Sequence, residues 1–242
     1  MILKSNLKFV GKNFKVLVAF KGTGSSSKLW LERQRKDPYV KRAVKETYRA
    51  RSAFKLLEIN EKYNFIKPGD LVIDIGASPG SWSQLAVKLT NSDLRDLTKP
   101  QGKVISLDRE FIYPIDGAHV LSYSDITLPE TKLKIEKLLN GQKATSVISD
   151  MAPNSTGQST FDHDAIIELQ AKAFDMAKQF LDSKGFFLCK IWFGDGTSEF
   201  KEKLSKNFES VKSIKPPASR NQSAEIFIFC SNFKSKINIV KN

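Results

Sequence analysis

The stretch that decides the fold is Leu71-Val-Ile-Asp74-Ile-Gly76-Ala-Ser-Pro-Gly80-Ser-Trp82. Its apolar run, Leu71–Ile75, is typical of a buried parallel strand, and a Gly/Pro turn leads from it into a helical stretch. Glycines in such a turn let the backbone approach a ligand closely. The turn lacks the G-x-G-x-x-G pattern that cradles a pyrophosphate. Asp74 would repel phosphate and attract a sulfonium or amino group, so the loop favours a cationic ligand; the alternative is a purely structural turn.

Strands and helices alternate through the rest of the chain, as a doubly wound, mostly parallel sheet requires. Apolar runs predict further strands at Lys103–Leu107, 145–149, 185–192 and 225–230. Apolar residues at three-to-four spacing predict helices at 39–46, 51–64, 82–89, 165–181 and 198–207. Residues 91–101 are polar and irregular, which predicts an insertion loop before the second strand.

Charge is the most informative part of the composition. The 242 residues include 39 Lys and Arg against 26 Asp and Glu, a net charge of +13. Such a surplus favours a polyanionic partner, above all nucleic acid. No stretch approaches the roughly 18–20 apolar residues that a membrane span needs, so we expect no membrane partner. With only two cysteines and two histidines we expect no metal site, and Cys189 and Cys230 are predicted to be buried free thiols.

The sequence divides into three parts. Residues 1–27 form a basic, acid-free leader, which predicts a mitochondrial presequence; the alternative is a basic tail. Residues 28–230 form a single domain that opens with a basic helical segment, in which aromatic residues are interleaved among the cations. We expect this segment to hold RNA phosphates and to stack an exposed base. Residues 231–242 form a short basic tail.

Two further acids point to the chemistry of the ligand. Asp108 ends the second strand, a position that suits hydrogen bonding to a ribose diol. Asp125 follows a third strand and is placed to accept from an adenine amino group. Each alone is more often a helix cap or a surface acid. Together with the loop after the first strand they describe an adenosine-bearing ligand without a pyrophosphate, which fits S-adenosylmethionine better than a dinucleotide.

Several segments carry a resemblance to a known family. They are residues 51–56 (Arg-Ser-Ala-Phe-Lys-Leu), 74–84, 149–154 (Ser-Asp-Met-Ala-Pro-Asn), 187–190 (Phe-Leu-Cys-Lys) and 219–225 (Ser-Arg-x-x-Ser-x-Glu). In this order they resemble the FtsJ-like ribose 2′-O-methyltransferases. The resemblance implies a Rossmann-like class I methyltransferase of the α/β class, with a doubly wound, mostly parallel sheet and an antiparallel last strand. It also implies S-adenosyl-L-methionine as cofactor.

The resemblance also implies the site residues. The family's catalytic tetrad falls on Lys55, Asp150, Lys190 and Glu225. Its cofactor contacts fall on Pro79, Gly80, Ser81, Trp82, Asp108, Asp125 and Asp150. Bacterial members commonly have glycine where this chain has Ser81, and a small side chain should still fit there.

The chemistry of methyl transfer supports these roles. The enzyme positions the hydroxyl oxygen behind the methyl group and helps to remove a proton. Lysine, with an unperturbed pKa of about 10.4, is a poor base at neutral pH, and a nearby cation and burial lower the pKa of a lysine. We therefore predict Lys190 as the general base or the holder of the nucleophilic oxygen, with Lys55 as the second cation. Asp150 would align Lys190, and Glu225 would orient Lys55 or bond the ribose. The alternative is four ordinary salt-bridge residues.

The details are most similar to the mitochondrial branch of the family. These are the insertion at 91–101, the Asp-His-Asp segment at 162–164 and residues 214–220. This similarity implies methylation of a uridine ribose in mitochondrial large-subunit rRNA, by a monomer acting in the matrix on rRNA or the large subunit. The alternatives are a tRNA or an mRNA cap as substrate, a cytoplasmic location, and an RNA-binding ribosome assembly factor. His163 is predicted to lie at a helix N-cap.

Overall fold

The computed structural model describes Glu32, residues 34–153 and residues 159–235, with the backbone alone at 159 and 160. The predicted leader over residues 1–27 lies outside the described residues, and so does the predicted tail from residue 236 onward.

One seven-stranded sheet organises the described chain, in the order β3-β2-β1-β4-β5-β7-β6. The strands are β1 (Leu71–Ile75), β2 (Lys103–Leu107), β3 (Ala118–Leu121), β4 (Ala144–Ser149), β5 (Leu181–Trp192), β6 (Phe208–Ile214) and β7 (Glu225–Phe233). The first five are parallel, while β7 runs antiparallel to both β5 and β6. The predicted fold class is therefore confirmed, including its antiparallel last strand.

Within the described residues, helices cover the two faces of the sheet. They are α1 (Pro38–Lys45), α2 (Ala53–Tyr63), α3 (Ser81–Thr90), α4 (Pro129–Leu139), α5 (Ser159–Phe180) and α6 (Thr197–Ser205). One apolar cluster packs α1, α2 and α3 against one face, and a second packs α4, α5 and α6 against the other. Because it lies between both layers, β1 is buried along its whole length, as its continuous apolar run predicts. Cys189 and Cys230 are buried free thiols in the second cluster, which confirms that prediction.

The predicted elements differ from the structure mainly at the sheet's margins. The bounds of β1 and β2 are as predicted, and residues 91–101 contain neither helix nor strand. Helix α4 and strand β6 were not predicted. Strand β6 lies at the edge of the sheet and carries several exposed residues, so it lacks a continuous apolar run. Strand β7 continues to Phe233, so the predicted tail begins inside a strand.

Helix α5 begins at Ser159, before the predicted start at residue 165. His163 therefore lies inside the helix, and its prediction as an N-cap is wrong.

The described residues give two negative findings. No helix among them is long and apolar enough to cross a membrane. No group of three or more His, Cys, Asp or Glu residues in this part of the chain is arranged to hold a metal ion.

Candidate active site

The topology brings four predicted catalytic residues to one edge of the sheet. Asp150 follows the carboxyl end of β4, and Lys190 lies near the carboxyl end of the neighbouring strand β5. Because β7 is antiparallel, its first residue, Glu225, lies opposite Trp192 at the same end of β5. Lys55 comes from the first turn of α2, which packs on this side of the sheet. Parallel α/β sheets bind ligands at this carboxyl edge.

Lys190 and Asp150 form the first of two ion pairs at this edge. Lys190 Nζ lies 3.0 Å from Asp150 Oδ1, and it also donates to the backbone carbonyl oxygen of Asp150 at 2.5 Å. The two side chains are 11% and 18% exposed, so the pair is mostly shielded from water yet open to a ligand. Gln170 of α5 donates to the Met151 carbonyl at 3.1 Å, which fixes the next peptide. The segment after β4 is thus held from both sides.

Lys55 and Glu225 form the second ion pair. Lys55 Nζ donates to Glu225 Oε2 at 2.7 Å, and the two side chains are 13% and 10% exposed. Phe227 pairs with Lys190 in the β5–β7 ladder, and Lys55 Nζ lies 5.7 Å from the centre of its ring. Residues paired across strands point to the same face. Both lysines therefore lie on one face of the sheet, on either side of Phe227.

Ser219, which the sequence did not assign a role, completes the surroundings of Glu225. Its hydroxyl donates to Glu225 Oε1 at 2.9 Å, so both oxygens of this carboxylate have a donor. The adjoining peptide is held by two side chains: Glu58 Oε2 accepts from the Ala218 N–H at 2.7 Å, and Arg51 donates to the Ala218 carbonyl. The two contacts to Ala218 join positions 160 and 167 residues apart, so no local sequence signal could reveal them.

The loop after β1 takes the shape that its glycines allow. Gly76 and Gly80 have φ angles of +75° and +109°, in the left-handed region that favours glycine. A Cβ at Gly76 would lie 1.9 Å from Met151 Cγ, so no larger residue fits beside the segment after β4. The predicted cofactor loop therefore packs against Met151, the residue after Asp150, and a ligand in the loop would lie near the first ion pair.

Arg49 fixes the same loop from outside. Its guanidinium donates to the carbonyls of Pro79, Tyr113 and Pro114 at 2.9, 2.8 and 2.7 Å. Burial lowers the pKa of Arg49 from its ordinary value. All three bonds go to backbone oxygens of this chain, so the side chain is an internal support of the loop.

Asp74 is a buried acid beside the loop. Its Oδ2 accepts from the Ser83 hydroxyl at 2.6 Å, while no described residue donates to its buried Oδ1. Burial raises the pKa of Asp74 to about 7, with further contributions to that value from the neighbouring carboxylates of Asp150 and Asp108. Three acids thus face one another at this edge. A cationic ligand would relieve their repulsion, and a pyrophosphate would increase it.

Two other predicted cofactor residues shape their own loops. Asp108 accepts from the backbone N–H groups of Ser78 and Glu110, both at 2.8 Å, and so links β2 to the loop after β1. Asp125 accepts from the backbone and hydroxyl of Thr127, and these bonds lower the pKa of Asp125. Both side chains lie at the carboxyl edge, as predicted. Each Asp108 oxygen accepts one bond and retains a lone pair for a ligand, whereas Asp125 Oδ1 accepts both Thr127 bonds and Asp125 Oδ2 lies 3.4 Å from Arg109 Nε.

The side chains of Ser81 and Trp82 point into the protein. The Ser81 hydroxyl pairs with that of Ser52 at 2.8 Å, and the Trp82 indole N–H donates to the Ser52 carbonyl at 2.8 Å. Both residues are buried, and the Trp82 ring packs near Phe227. Because both side chains are engaged within the protein, Ser81 and Trp82 can contact a cofactor only through their backbone at the start of α3.

The basic segment before Lys55 is only partly available to RNA. Besides Arg49, Arg51 is bound internally, because it pairs with Asp37, the N-cap of α1. Arg49 and Arg51 are therefore engaged within the protein, and the expectation that the segment holds RNA phosphates falls on its other cations. Among the described cations of the segment, those with exposed side chains and no described ion-pair or hydrogen-bond partner are Arg35, Lys41 and Lys45.

His163 instead supports the turn after β5. Gly196 N–H donates to His163 Nε2 at 3.1 Å, so Nδ1 carries the proton and donates to the Trp192 carbonyl at 2.8 Å. A Cβ at Gly194 would lie 2.7 Å from His163 Nδ1, so glycine is required for this close packing.

The strand order, five parallel strands followed by an antiparallel β7 between β5 and β6, is that of a Rossmann-like α/β methyltransferase. The sequence profile of the FtsJ-like methyltransferase family matches residues 48–233, and the chain therefore belongs to that family.

Similar proteins agree with this assignment. The chain is 44% identical to "rRNA methyltransferase 2, mitochondrial" of Caenorhabditis elegans, over 85% of this chain and 94% of that protein. It is 41% identical to "Ribosomal RNA large subunit methyltransferase E" of Cereibacter sphaeroides, over 89% and 88%. The crystal structure of a putative ribosomal RNA methyltransferase from Plasmodium falciparum aligns with a TM-score of 0.69 at 27% identity, over 78% of this chain and all of that one.

Proposed function

We propose that this enzyme transfers a methyl group from S-adenosylmethionine to the ribose 2′-hydroxyl of a uridine in mitochondrial large-subunit rRNA. The observation that carries the proposal is the position of Lys190 Nζ, held by the carboxylate and the carbonyl of Asp150 at the open edge of the sheet. Lys55 and Glu225 form a second, adjoining ion pair on the same face. The family's four catalytic positions are thus present with suitable partners.

The acidic side of this edge fits S-adenosylmethionine. When bound, this cofactor supplies a methyl group on a positively charged sulfur. The acids that would surround it are Asp74, Asp108 and Asp150, and the buried Asp74 Oδ1 has no described donor. Gly76 and Gly80 would give its amino-acid end room, and Asp108 would accept from its ribose hydroxyls. Asp125 would accept from the adenine amino group.

Lys190 retains hydrogen-bonding capacity for the substrate. Its nitrogen can form three hydrogen bonds, and one goes to the Asp150 carbonyl, while the Asp150 carboxylate contributes an ion-pair contact at 3.0 Å. As an ammonium, Lys190 would donate a remaining N–H to the ribose oxygen and hold it in line with the methyl group. As a neutral amine, it would use its lone pair to take the hydroxyl proton as the oxygen–methyl bond forms. Lys55, held by Glu225, supplies a second positive charge nearby.

The proposed substrate and the proposed compartment are supported by the names of the relatives and by the composition of the leader. Two relatives, from Caenorhabditis elegans and Drosophila melanogaster, are named as mitochondrial rRNA methyltransferases, and bacterial relatives are named for the large ribosomal subunit. The acid-free leader over residues 1–27 supports a mitochondrial matrix location. We further propose that the protein acts as a monomer.

The test is methyl transfer from tritium-labelled S-adenosylmethionine to four RNAs in parallel. These are mitochondrial large-subunit rRNA transcribed in vitro, large subunits from cells lacking the protein, a tRNA pool and capped mRNA. The first two are unmethylated at the target, so a natural methyl group does not block the reaction. We expect label in the rRNA or the subunits alone, on a uridine.

Each other result selects an alternative. Label in tRNA or at the cap would retain the chemistry and reject the rRNA substrate. An absence of label in every RNA, with S-adenosylmethionine bound, would favour an RNA-binding assembly factor. A Lys203→Met variant, which removes an exposed lysine of α6, serves as the control for general loss of charge.

A further inference from the structure

The exposed phenylalanine and tyrosine rings lie along one edge of the sheet. Among the described residues they are Phe111, Tyr123, Phe161 and Phe193. Each lies in a segment that follows the carboxyl end of a parallel strand: β2, β3, β4 and β5, respectively. Single exposed apolar residues are ordinary on protein surfaces. Four rings at the edge that also carries the candidate active site need a more specific explanation.

Phe193 is the ring that follows the strand of Lys190. Its side chain is 70% exposed, although its backbone is held firmly. Phe193 N–H donates to the Ala224 carbonyl at 2.8 Å, which extends the β5–β7 ladder one residue past its end. The next residue, Gly194, donates to the Thr197 hydroxyl at 3.1 Å. The Phe193 ring is therefore exposed to solvent, while its backbone is held by hydrogen bonds.

His163 strengthens this support from α5. It bonds the residues on both sides of Phe193, at the Trp192 carbonyl and the Gly196 N–H. It is itself buried, and its ring fills the space that a Cβ on Gly194 would need. The backbone of Phe193 is thus fixed by His163, by the close packing at Gly194 and by the β5–β7 ladder, although the Phe193 ring itself buries little surface. Such pre-organisation is typical of a ligand contact, because it lowers the entropy lost on binding.

Phe193 lies just beyond the strand ends that carry Lys190 and Glu225. It is three residues beyond Lys190, about 10 Å along the strand at 3.3 Å per residue, and because side chains alternate it points to the opposite face of the sheet. Across the ladder it bonds Ala224, the neighbour of Glu225. Its ring is therefore at the carboxyl edge, across the strand ends from the two ion pairs. A nucleotide that flanks the target and crosses this edge would reach the ring.

We propose that Phe193 is a base-stacking residue that holds an unpaired nucleobase next to the methylated nucleotide. This inference rests on the proposed function, because it takes RNA as the substrate. Single-stranded RNA is recognised largely by stacking of its bases on aromatic rings. The exposed cations Arg35, Lys41 and Lys45 would hold phosphates, and Phe193 would hold a base.

The test compares Phe193→Ala with Phe193→Tyr and with Leu97→Ala, which removes an exposed side chain from the insertion loop. Stacking of one base predicts a rise in the KM for rRNA of about 5- to 100-fold in Phe193→Ala, with kcat within about twofold. Phe193→Tyr keeps a ring and should retain the KM, and Leu97→Ala should leave it unchanged. The affinity for S-adenosylmethionine should be equal in all four proteins.

A second readout reports stacking directly. RNA carrying 2-aminopurine near the target should lose fluorescence on binding wild type and Phe193→Tyr, and retain it with Phe193→Ala. A KM within twofold of wild type in Phe193→Ala would overturn the inference while methyl transfer itself stands. A KM defect on large subunits but not on free rRNA would also overturn it, in favour of a ribosomal protein partner.

Failure of the proposed function gives a different pattern. In that case the wild type transfers no methyl group to any RNA, whatever residue stands at position 193. The inference is then judged by RNA affinity alone at fixed salt, and equal affinities for wild type and Phe193→Ala would overturn it as well.

Discussion

The carboxyl edge of the sheet has two halves that differ in charge balance: one is neutral through ion pairs and the other is acidic. Around β4, β5 and β7, Lys190 is paired with Asp150 and Lys55 with Glu225. Around β1 and β2, Asp74 and Asp108 bond only to uncharged donors, the Ser83 hydroxyl and backbone N–H groups. No described residue forms a salt bridge with either of them.

The difference shows how one edge can serve two ligands. Paired charges are already neutralised, so a lysine can remain at a mostly buried site and act on a neutral hydroxyl. The acids of the other half have no described cationic partner, and burial, together with the charges of Asp150 and Asp108, raises the pKa of Asp74 to about 7. A cationic cofactor would favour the ionised carboxylates. We therefore propose the half with the two ion pairs, the paired half, as the ribose site and the half with Asp74 and Asp108, the acidic half, as the S-adenosylmethionine site.

The largest expected effect is on the paired half, at Lys190. Lys190→Met keeps the length of the side chain and removes both the charge and the base. We expect a loss of roughly 10²- to 10⁴-fold in the single-turnover rate of methyl transfer, as for a lost acid–base group. Calorimetry should show S-adenosylmethionine binding within about twofold of wild type. If the single-turnover rate of Lys190→Met were within tenfold of wild type, the assignment of the chemical step to the paired half would be wrong.

The next largest effect is expected in the acidic half, where Asp74 should make the unfolding free energy depend on pH. The native pKa of Asp74 is about 7, against about 3.9 for an unfolded aspartate, so the native state holds the proton more tightly. The stability that this carboxyl contributes is therefore present below pH 4 and is lost as the pH rises through 7. Relative to Asp74→Asn, the wild type should lose about 1.4 kcal/mol of unfolding free energy per pH unit between pH 4 and 7.

Urea unfolding of both proteins at pH 5, 6 and 7 measures this difference. Asp164→Asn, at an exposed position of α5, is the matched control and should follow the wild type. If the unfolding free energies of wild type and Asp74→Asn changed with pH in parallel, Asp74 would have an ordinary pKa. The proposal that the acidic half favours a cationic ligand would then lose its support.

A smaller effect is expected at Glu225. Glu225→Gln keeps the shape and the bond to Ser219 but removes the negative charge beside Lys55. Because Glu225 acts through Lys55 and does not contact Lys190, we expect a loss of roughly 10- to 100-fold in kcat. Steady-state kinetics with rRNA measures it. A loss equal to that of Lys190→Met would show that the two ion pairs contribute equally to the chemistry.

The smallest effect is expected at Ser219. Ser219→Ala removes one hydrogen bond to the Glu225 carboxylate, which predicts a decrease in kcat of about 3- to 10-fold. Ser213→Ala, an exposed serine of β6, should be unchanged. Ser219→Ala should add little to Glu225→Gln if the serine acts only through this carboxylate, whereas full additivity would indicate a separate role.

The sequence predicted those features that have a local signal. The apolar runs of β1 and β2 gave their bounds, because a strand buried on both faces needs a continuous apolar run. The segments around Lys55, Asp150, Lys190 and Glu225 identified four charged residues, and the structure pairs them two by two.

Features that depend on distant contacts could not be predicted. Arg49 and Arg51 look like RNA-binding cations, and only the fold shows that they bond backbone carbonyls 30 to 167 residues away. His163 resembles a helix cap, yet its partners are Trp192 at the end of β5 and Gly196 in the turn after it. Strand β6 is an edge strand whose polar residues face water, so it lacks the apolar run used to find the others.

The chemical location of the transferred methyl group tests the central claim most directly. After reaction with labelled S-adenosylmethionine, the rRNA is hydrolysed in alkali, which cannot cleave beside a methylated 2′-oxygen. We predict that the label appears in alkali-resistant dinucleotides that begin with uridine, and that Lys190→Met yields none. Label in mononucleotides would place the methyl group on a base, and the paired half would not be a ribose hydroxyl site.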